Sequence, residues 1–258
     1  SYYLLKAAGQ TNDNYLYFSG IAYAQSDVKE PAVAIFNQLI NSKFDGSETS
    51  YTAVNKKTNE KENLRKESYD LYIKLKDASD YKDFKIEKTE SKREELFEIQ
   101  SSLLLELKKN DEAISTAEIG LKEFPKNQKI SQFQSLAYYR AGKTDEFAKS
   151  LRAIVASNPN DVNAWYNLGV ILSKDPSKTK EAEDAYLKAL SIDPVNKNTL
   201  INLVYLTMDD DTKTVETYNS LRKAKKIEEA NKLMEARRER FAKAIPYAEK
   251  LYSVDPKD

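Results

Sequence analysis

With 258 residues the chain is long enough for one or two domains, and its 41 Lys and Arg balance 41 Asp and Glu, so no global field steers it onto nucleic acid. It has neither Cys nor His, which removes disulfides, thiolate ligands, the commonest general base and the commonest nitrogen ligand for a metal. No run of apolar residues reaches the roughly eighteen needed to cross a membrane.

Residues 1–9 read as the end of a helix stopped by Gly9, followed by a turn at Thr11, Asn12 and Asp13. Ser1–Leu5 has no basic start and no small-residue cleavage site, so the expectation is a processed or trimmed product rather than a signal peptide. Gly20 and Tyr23 then fall on one helical pattern, and Ala32 and Phe36 on a second, with Pro31 near its start where a missing N–H costs little. In 47–93, Tyr51 and Val54 fit one helix and Leu64, Ser68, Tyr72 and Leu75 its partner, separated by the long polar KKTNEKEN. Asp77–Lys92 reads as a charged connection.

From Glu94 the register is regular. Phe97, Ser101 and Leu104 mark one helix, and Ala113, Ala117, Gly120 and Leu121 the next, closed by Pro125. The following unit carries Tyr138, Gly142, Phe147 and Leu151 and closes at Pro159, 34 residues beyond Pro125. Trp165–Pro194 is the clearest unit, with Leu168 and Gly169 on its first helix and Ala182, Tyr186, Ala189 and Leu190 on its second. Pro194 lies 35 residues beyond Pro159, one extra residue falling near Asp175 and Pro176. The last unit opens with Leu200, Leu203 and Val204, but Pro256 is 62 residues beyond Pro194. Asp209, Asp210, Asp211 and Thr212 fit a loop and helix cap, with carboxylates favoured by the dipole. Ile227, Ala230, Met234, Arg237, Phe241, Ile245, Ala248 and Tyr252 recur at steps of three and four, which predicts one long helix over 213–253 that Pro246 should kink.

This order of small and large positions resembles the tetratricopeptide repeat, a helix–turn–helix unit of about 34 residues. The resemblance implies an all-α, right-handed α-solenoid with two insertions. Its units fall at about 13–46, 47–93 (degenerate), 94–127, 128–161, 162–196 and 197–258, the last carrying an insertion over 209–240. Phe44 stands where a closing proline belongs. The inserted helix and the 17 tyrosines are similar to repeat proteins of Bacteroidetes-type bacteria. An envelope or periplasmic location follows as an expectation.

The resemblance further implies a non-enzymatic scaffold that binds a protein or extended peptide through a concave face lined by the first helices. Carried onto this sequence, the groove positions are Lys129, Gln132, Tyr139 and Arg140; then Asn163, Tyr166, Asn167 and Lys174; then Asn198, Asn202 and Tyr205. Tyrosines and amides suit a peptide's backbone and side chains. Family members that grip chaperone C-termini carry Lys and Asn where this chain has Gln132 and Leu136, or Tyr166 and Val170, so that clamp is not expected. Asp209–Asp211 lacks the spacing of a calcium loop, and Glu94, Glu95 and Glu98 lack a partner acid, base or nucleophile. No cofactor and no metal are expected. Between Arg222 and Lys243 nine Lys and Arg face four Glu, a surface read chiefly as solvated. Self-association through the long C-terminal helix or the open ends is the second reading, and a peripheral membrane role the third.

Overall fold

The computed structural model describes residues 13–208 and 211–256 and divides into two compact units, 1–137 and 138–258. The helix end and turn expected before Asp13, and the loop at Asp209 and Asp210, lie outside the described residues.

In the first unit, α1 (Asp13–Ala24) and α2 (Glu30–Asn41) form a helix pair. Pro31 sits in the first turn of α2 as expected, and Ala32 and Phe36 are fully buried. The pair closes on Gly20: a Cβ there would stand 2.6 Å from Phe36 Cε1, so only glycine lets the helices approach this far. Phe44 is buried and its ring stacks on Tyr17 at 5.7 Å. Tyr17 donates its hydroxyl to Glu95 at 2.9 Å, and burial holds that hydroxyl well above the usual tyrosine range.

The segment 47–93 is not a degenerate helical repeat. It forms strands β1 (Thr49–Asn55) and β2 (Lys61–Leu64), helix α3 (Lys66–Leu75) and strand β3 (Tyr81–Lys88). The sheet is antiparallel in the order β2-β1-β3, with Tyr51 opposite both Leu64 and Ile86. KKTNEKEN is therefore the bend of a hairpin at residues 56–60, turned at Asn59 in the left-handed region (φ 59), followed by the start of β2. The expected charged connection contains β3, and Leu64 belongs to β2. Ser68, Tyr72 and Leu75 do lie on a helix. Tyr69 of α3 is buried between Tyr51 and Phe84, at 5.2 and 5.5 Å, and gives this small sheet an apolar centre.

The insertion stands aside from the helix stack. Glu48 and Thr89 exchange backbone and side-chain hydrogen bonds at its neck, and Lys92 N–H donates to the Asp45 carbonyl at 2.8 Å. The next helix, α4 (Arg93–Glu106), consequently packs directly on α2. Buried Gln100 crosses that contact, donating to Asn37 Oδ1 at 2.9 Å and to the Val33 carbonyl at 3.3 Å. Helix α5 (Asn110–Glu123) completes the pair. Phe97, Ser101, Leu104, Ala113 and Ala117 are buried as their spacing predicts. Arg93 grips Glu123 with two hydrogen bonds, at 2.6 and 2.7 Å, which pushes the carboxyl below its ordinary value. The start of α6 (Gln128–Arg140) ends the unit, with Ile130 fully buried.

The second unit contains the end of α6, then α7 (Thr144–Ser157), α8 (Val162–Leu172), α9 (Thr179–Ile192) and α10 (Lys197–Met208). Asp161 caps α8 by accepting from the Ala164 N–H at 2.9 Å, and the Trp165 indole donates to the Pro159 carbonyl at 2.9 Å. The closing proline of one repeat is thereby tied to the opening aromatic of the next. Gly169 faces Tyr186 so closely that a Cβ would stand 2.5 Å from the ring, while Ala182 and Ala189 are fully buried on the same helix as that tyrosine. The extra residue near Asp175 and Pro176 is absorbed by a short 3₁₀ turn, Pro176–Lys178.

The helix expected over 213–253 is two. Helix α11 (Asp211–Lys223) turns back through Lys225, which takes the left-handed conformation (φ 58), into α12 (Ile227–Val254). Arg237 clamps Asp211 at 2.7 and 2.8 Å across this hairpin. Helix α12 runs continuously through Pro246 and packs on both α11 and α10. Lys197 meets Asp255 at 2.8 Å at its far end. Serving two partners rotates the buried face. Ala230 and Phe241 point inward as their spacing predicts, but Ala244, Tyr247 and Leu251 then replace Ile245, Ala248 and Tyr252. Ile245 and Tyr252 are 52% and 65% exposed.

Candidate ligand-binding clefts

Among the described residues each unit carries a cleft large enough for a ligand. That of the first unit encloses about 350 Å³ between α1, α4 and α6, three first helices of successive pairs. Its floor is apolar, from Ile21, Ile99, Leu103 and Phe133. Gln25, Glu98, Glu106 and Lys129 make its rim, where Lys129 is ion-paired to Glu98 at 2.7 Å. That bond is the main cause of the raised Lys129 ammonium pKa.

The cleft of the second unit encloses about 670 Å³, within the usual range for small-molecule and peptide-sized sites. Ser173 ends α8 and Pro176, Thr179, Glu183 and Tyr186 come from the turn and α9. Asn202, Tyr205, Leu206 and Thr207 come from α10, and Arg240 and Lys243 from α12. Asn202 donates to the Tyr166 hydroxyl at 3.4 Å, a long bond that sets a row of Tyr166, Asn202 and Tyr186 behind the opening. Burial raises the pKa of the Tyr186 hydroxyl, so it stays protonated as both donor and acceptor. Tyr205, 72% exposed, stands over the mouth.

The structure places the eleven expected groove residues unequally. Lys129 lines the first cleft; Asn202 and Tyr205 line the second, with Tyr166 behind them. Tyr139 instead packs on Phe147 of α7, ring centroids 5.3 Å apart. Gln132, Arg140, Asn163, Lys174 and Asn198 are exposed and Asn167 is half-buried, and none lines either cleft. Phe133 follows Gln132 by one residue and was legible from the same register. Arg240 and Lys243 were not, because they lie in and beside an insertion that has no repeat position. Among the described residues no group of three or more acidic side chains could hold a metal ion, and no helix is long and apolar enough to cross a membrane.

The family model described as Tetratricopeptide repeat matches residues 100–162 and 134–197, the stretch that supplies α5 to α9 and parts of their neighbours. Residues 100–197 match tetratricopeptide repeats. The fold of the chain is also that of solved structures of low sequence identity. A TPR repeats protein from Bacteroides fragilis NCTC 9343 aligns with a TM-score of 0.53 at 14% identity, covering 96% of this chain and 93% of that one. MamA AMB-1 aligns at 0.52 and 17%, covering 95% and 93%, and MamA MSR-1 at 0.50 and 16%, covering 95% and 97%. No curated protein matches the chain. The tetratricopeptide match explains the small–large pair at Gly169 and Tyr186, since neither helix of a repeat buries its apolar stripe alone, and the same kind of close approach is seen at Gly20 and Phe36.

Proposed function

We propose that this protein is a non-enzymatic scaffold that binds a partner protein or an extended peptide through the clefts of its two units. The observation that carries this reading is the 670 Å³ cleft of the second unit, where the exposed ring of Tyr205 stands beside the Asn202 amide and the hydroxyls of Thr179 and Thr207. Such a set satisfies a peptide backbone and packs its side chains at small entropic cost. Helix-stacked repeats supply the rigidity that keeps these groups in place without a ligand.

The test is affinity capture from source-cell extract by the full chain, with light scattering of the purified protein alongside. A partner captured in stoichiometric amount should be lost, by roughly tenfold or more in affinity, on Asn202→Ala with Tyr205→Ala, and retained by Tyr23→Ala on α1. Equal capture by all three proteins would overturn the cleft as the binding surface. A second reading, self-association through α12, is favoured by the exposure of Ile245 and Tyr252. It predicts a concentration-dependent dimer mass in the same scattering measurement.

A further inference from the structure

The positive charge of the second cleft comes from α12, where the expected insertion over 209–240 ends. Glu183, its one acid among the described residues, is already ion-paired to Lys180 at 3.2 Å. Arg240 and Lys243 lie three residues apart on α12 and so share one face of that helix, turned toward the cleft. Lys243 is exposed and makes no ion pair among the described residues. Arg240 donates through Nη2 to Thr214 Oγ1 at 2.9 Å, while its buried Nε has no acceptor among the described residues. Asp211, a carboxylate on the facing helix, is held on both oxygens by Arg237, and the charge of Arg240 adds to the pull that keeps its carboxyl below the ordinary range. The wall opposite carries neutral donors, the hydroxyl of Tyr186 and the amide of Asn202. A cleft of this make-up is cationic, walled by hydrogen-bond donors, and open at an exposed tyrosine.

We propose that this cleft binds a carboxylate of an extended peptide, held by Arg240 and Lys243 of α12. A carboxylate accepts from a guanidinium and an ammonium at once, in charge-assisted bonds about twice as strong as neutral ones. Helix α12 carries both cations and packs on α10, whose Asn202 and Tyr205 line the same cleft. The carboxylate can belong to an Asp or Glu side chain or to a chain terminus. This inference rests on the peptide-binding reading above and adds the chemistry of the ligand.

The experiment is selection of peptides from two random libraries, one displayed with free C-termini and one anchored through its C-terminus, on the full chain and on Lys243→Glu. Enrichment of Asp and Glu from both libraries by the native chain, lost on Lys243→Glu, is expected for a side-chain carboxylate. Enrichment from the free-end library alone, again lost on Lys243→Glu, is expected for a terminal one. Peptides from the selection, remade with a fluorophore, should bind Lys243→Glu at least tenfold more weakly and weaken as salt rises. Arg240→Gln should do the same while circular dichroism shows its helix content unchanged. Selection of neutral or basic peptides that bind the native chain and Lys243→Glu alike would overturn the carboxylate and leave the peptide scaffold standing. No enrichment from either library would overturn both.

Discussion

Replacing Phe97 with Ala should lower the stability of the first unit by about 3–5 kcal/mol, the usual cost of deleting a large aromatic side chain from a core. Phe97 is fully buried, and Gly120 of the paired helix approaches its ring so closely that an added Cβ would stand 3.1 Å away. Ile130 of the next pair, also fully buried, lies on the same spot, 3.2 Å from that Cβ position. One side chain thus joins two helices of a repeat to the helix that follows. In a stacked-repeat protein the loss falls on nearest-neighbour contacts, so the damage should spread across α4, α5 and the start of α6. Chemical denaturation followed by circular dichroism measures it. A loss below about 1 kcal/mol would mean that the core does not close on this ring.

Gly169→Ala tests the packing from the opposite direction. In an exposed helix the change would stabilise by about 1 kcal/mol, because Ala is the better helix former. Here the new methyl would stand 2.5 Å from the ring of Tyr186, which is 1% exposed and has nowhere to move. Overpacking of this kind costs roughly 1–3 kcal/mol, so the expected sign is destabilising. In a Tyr186→Ala background the clash disappears and the methyl should cost nothing or regain stability. The coupling between the two sites should therefore exceed about 1 kcal/mol. Additive effects, or a stabilised single variant, would contradict the close approach of α8 and α9.

Residues 94–197 were legible because small and large side chains recur at one period, and the tightest approaches in them set a small residue against a large one. Gly169 against Tyr186 and Gly120 against Phe97 carry the same information in the sequence and in the fold. The 47–93 stretch misled for a physical reason. Tyr51 and Val54 are three apart, a helical spacing, yet they sit in TSYTAVN, a run rich in β-branched and aromatic residues that suits a pleated strand. The hairpin bend was visible only as an overlong polar turn. Likewise the spacing of Ile227–Tyr252 fits one helix on one partner, whereas α12 has two partners and turns a different face to each. Of the residues that line the two clefts, the register named Lys129, Asn202 and Tyr205. It could not name Arg240 and Lys243, whose position depends on where the hairpin at Lys225 folds back.

Ligand binding at the cleft of the second unit is tested most directly by hydrogen–deuterium exchange of the full chain. Measured with and without a saturating captured partner or selected peptide, it should show slowed exchange at the end of α8, along α10 over 202–207, and around Arg240 and Lys243 on α12. Helix α3 and the Ile245–Tyr252 face of α12 should be unchanged. Slowed exchange confined to α3 or to that face of α12, with α10 untouched, would contradict the account.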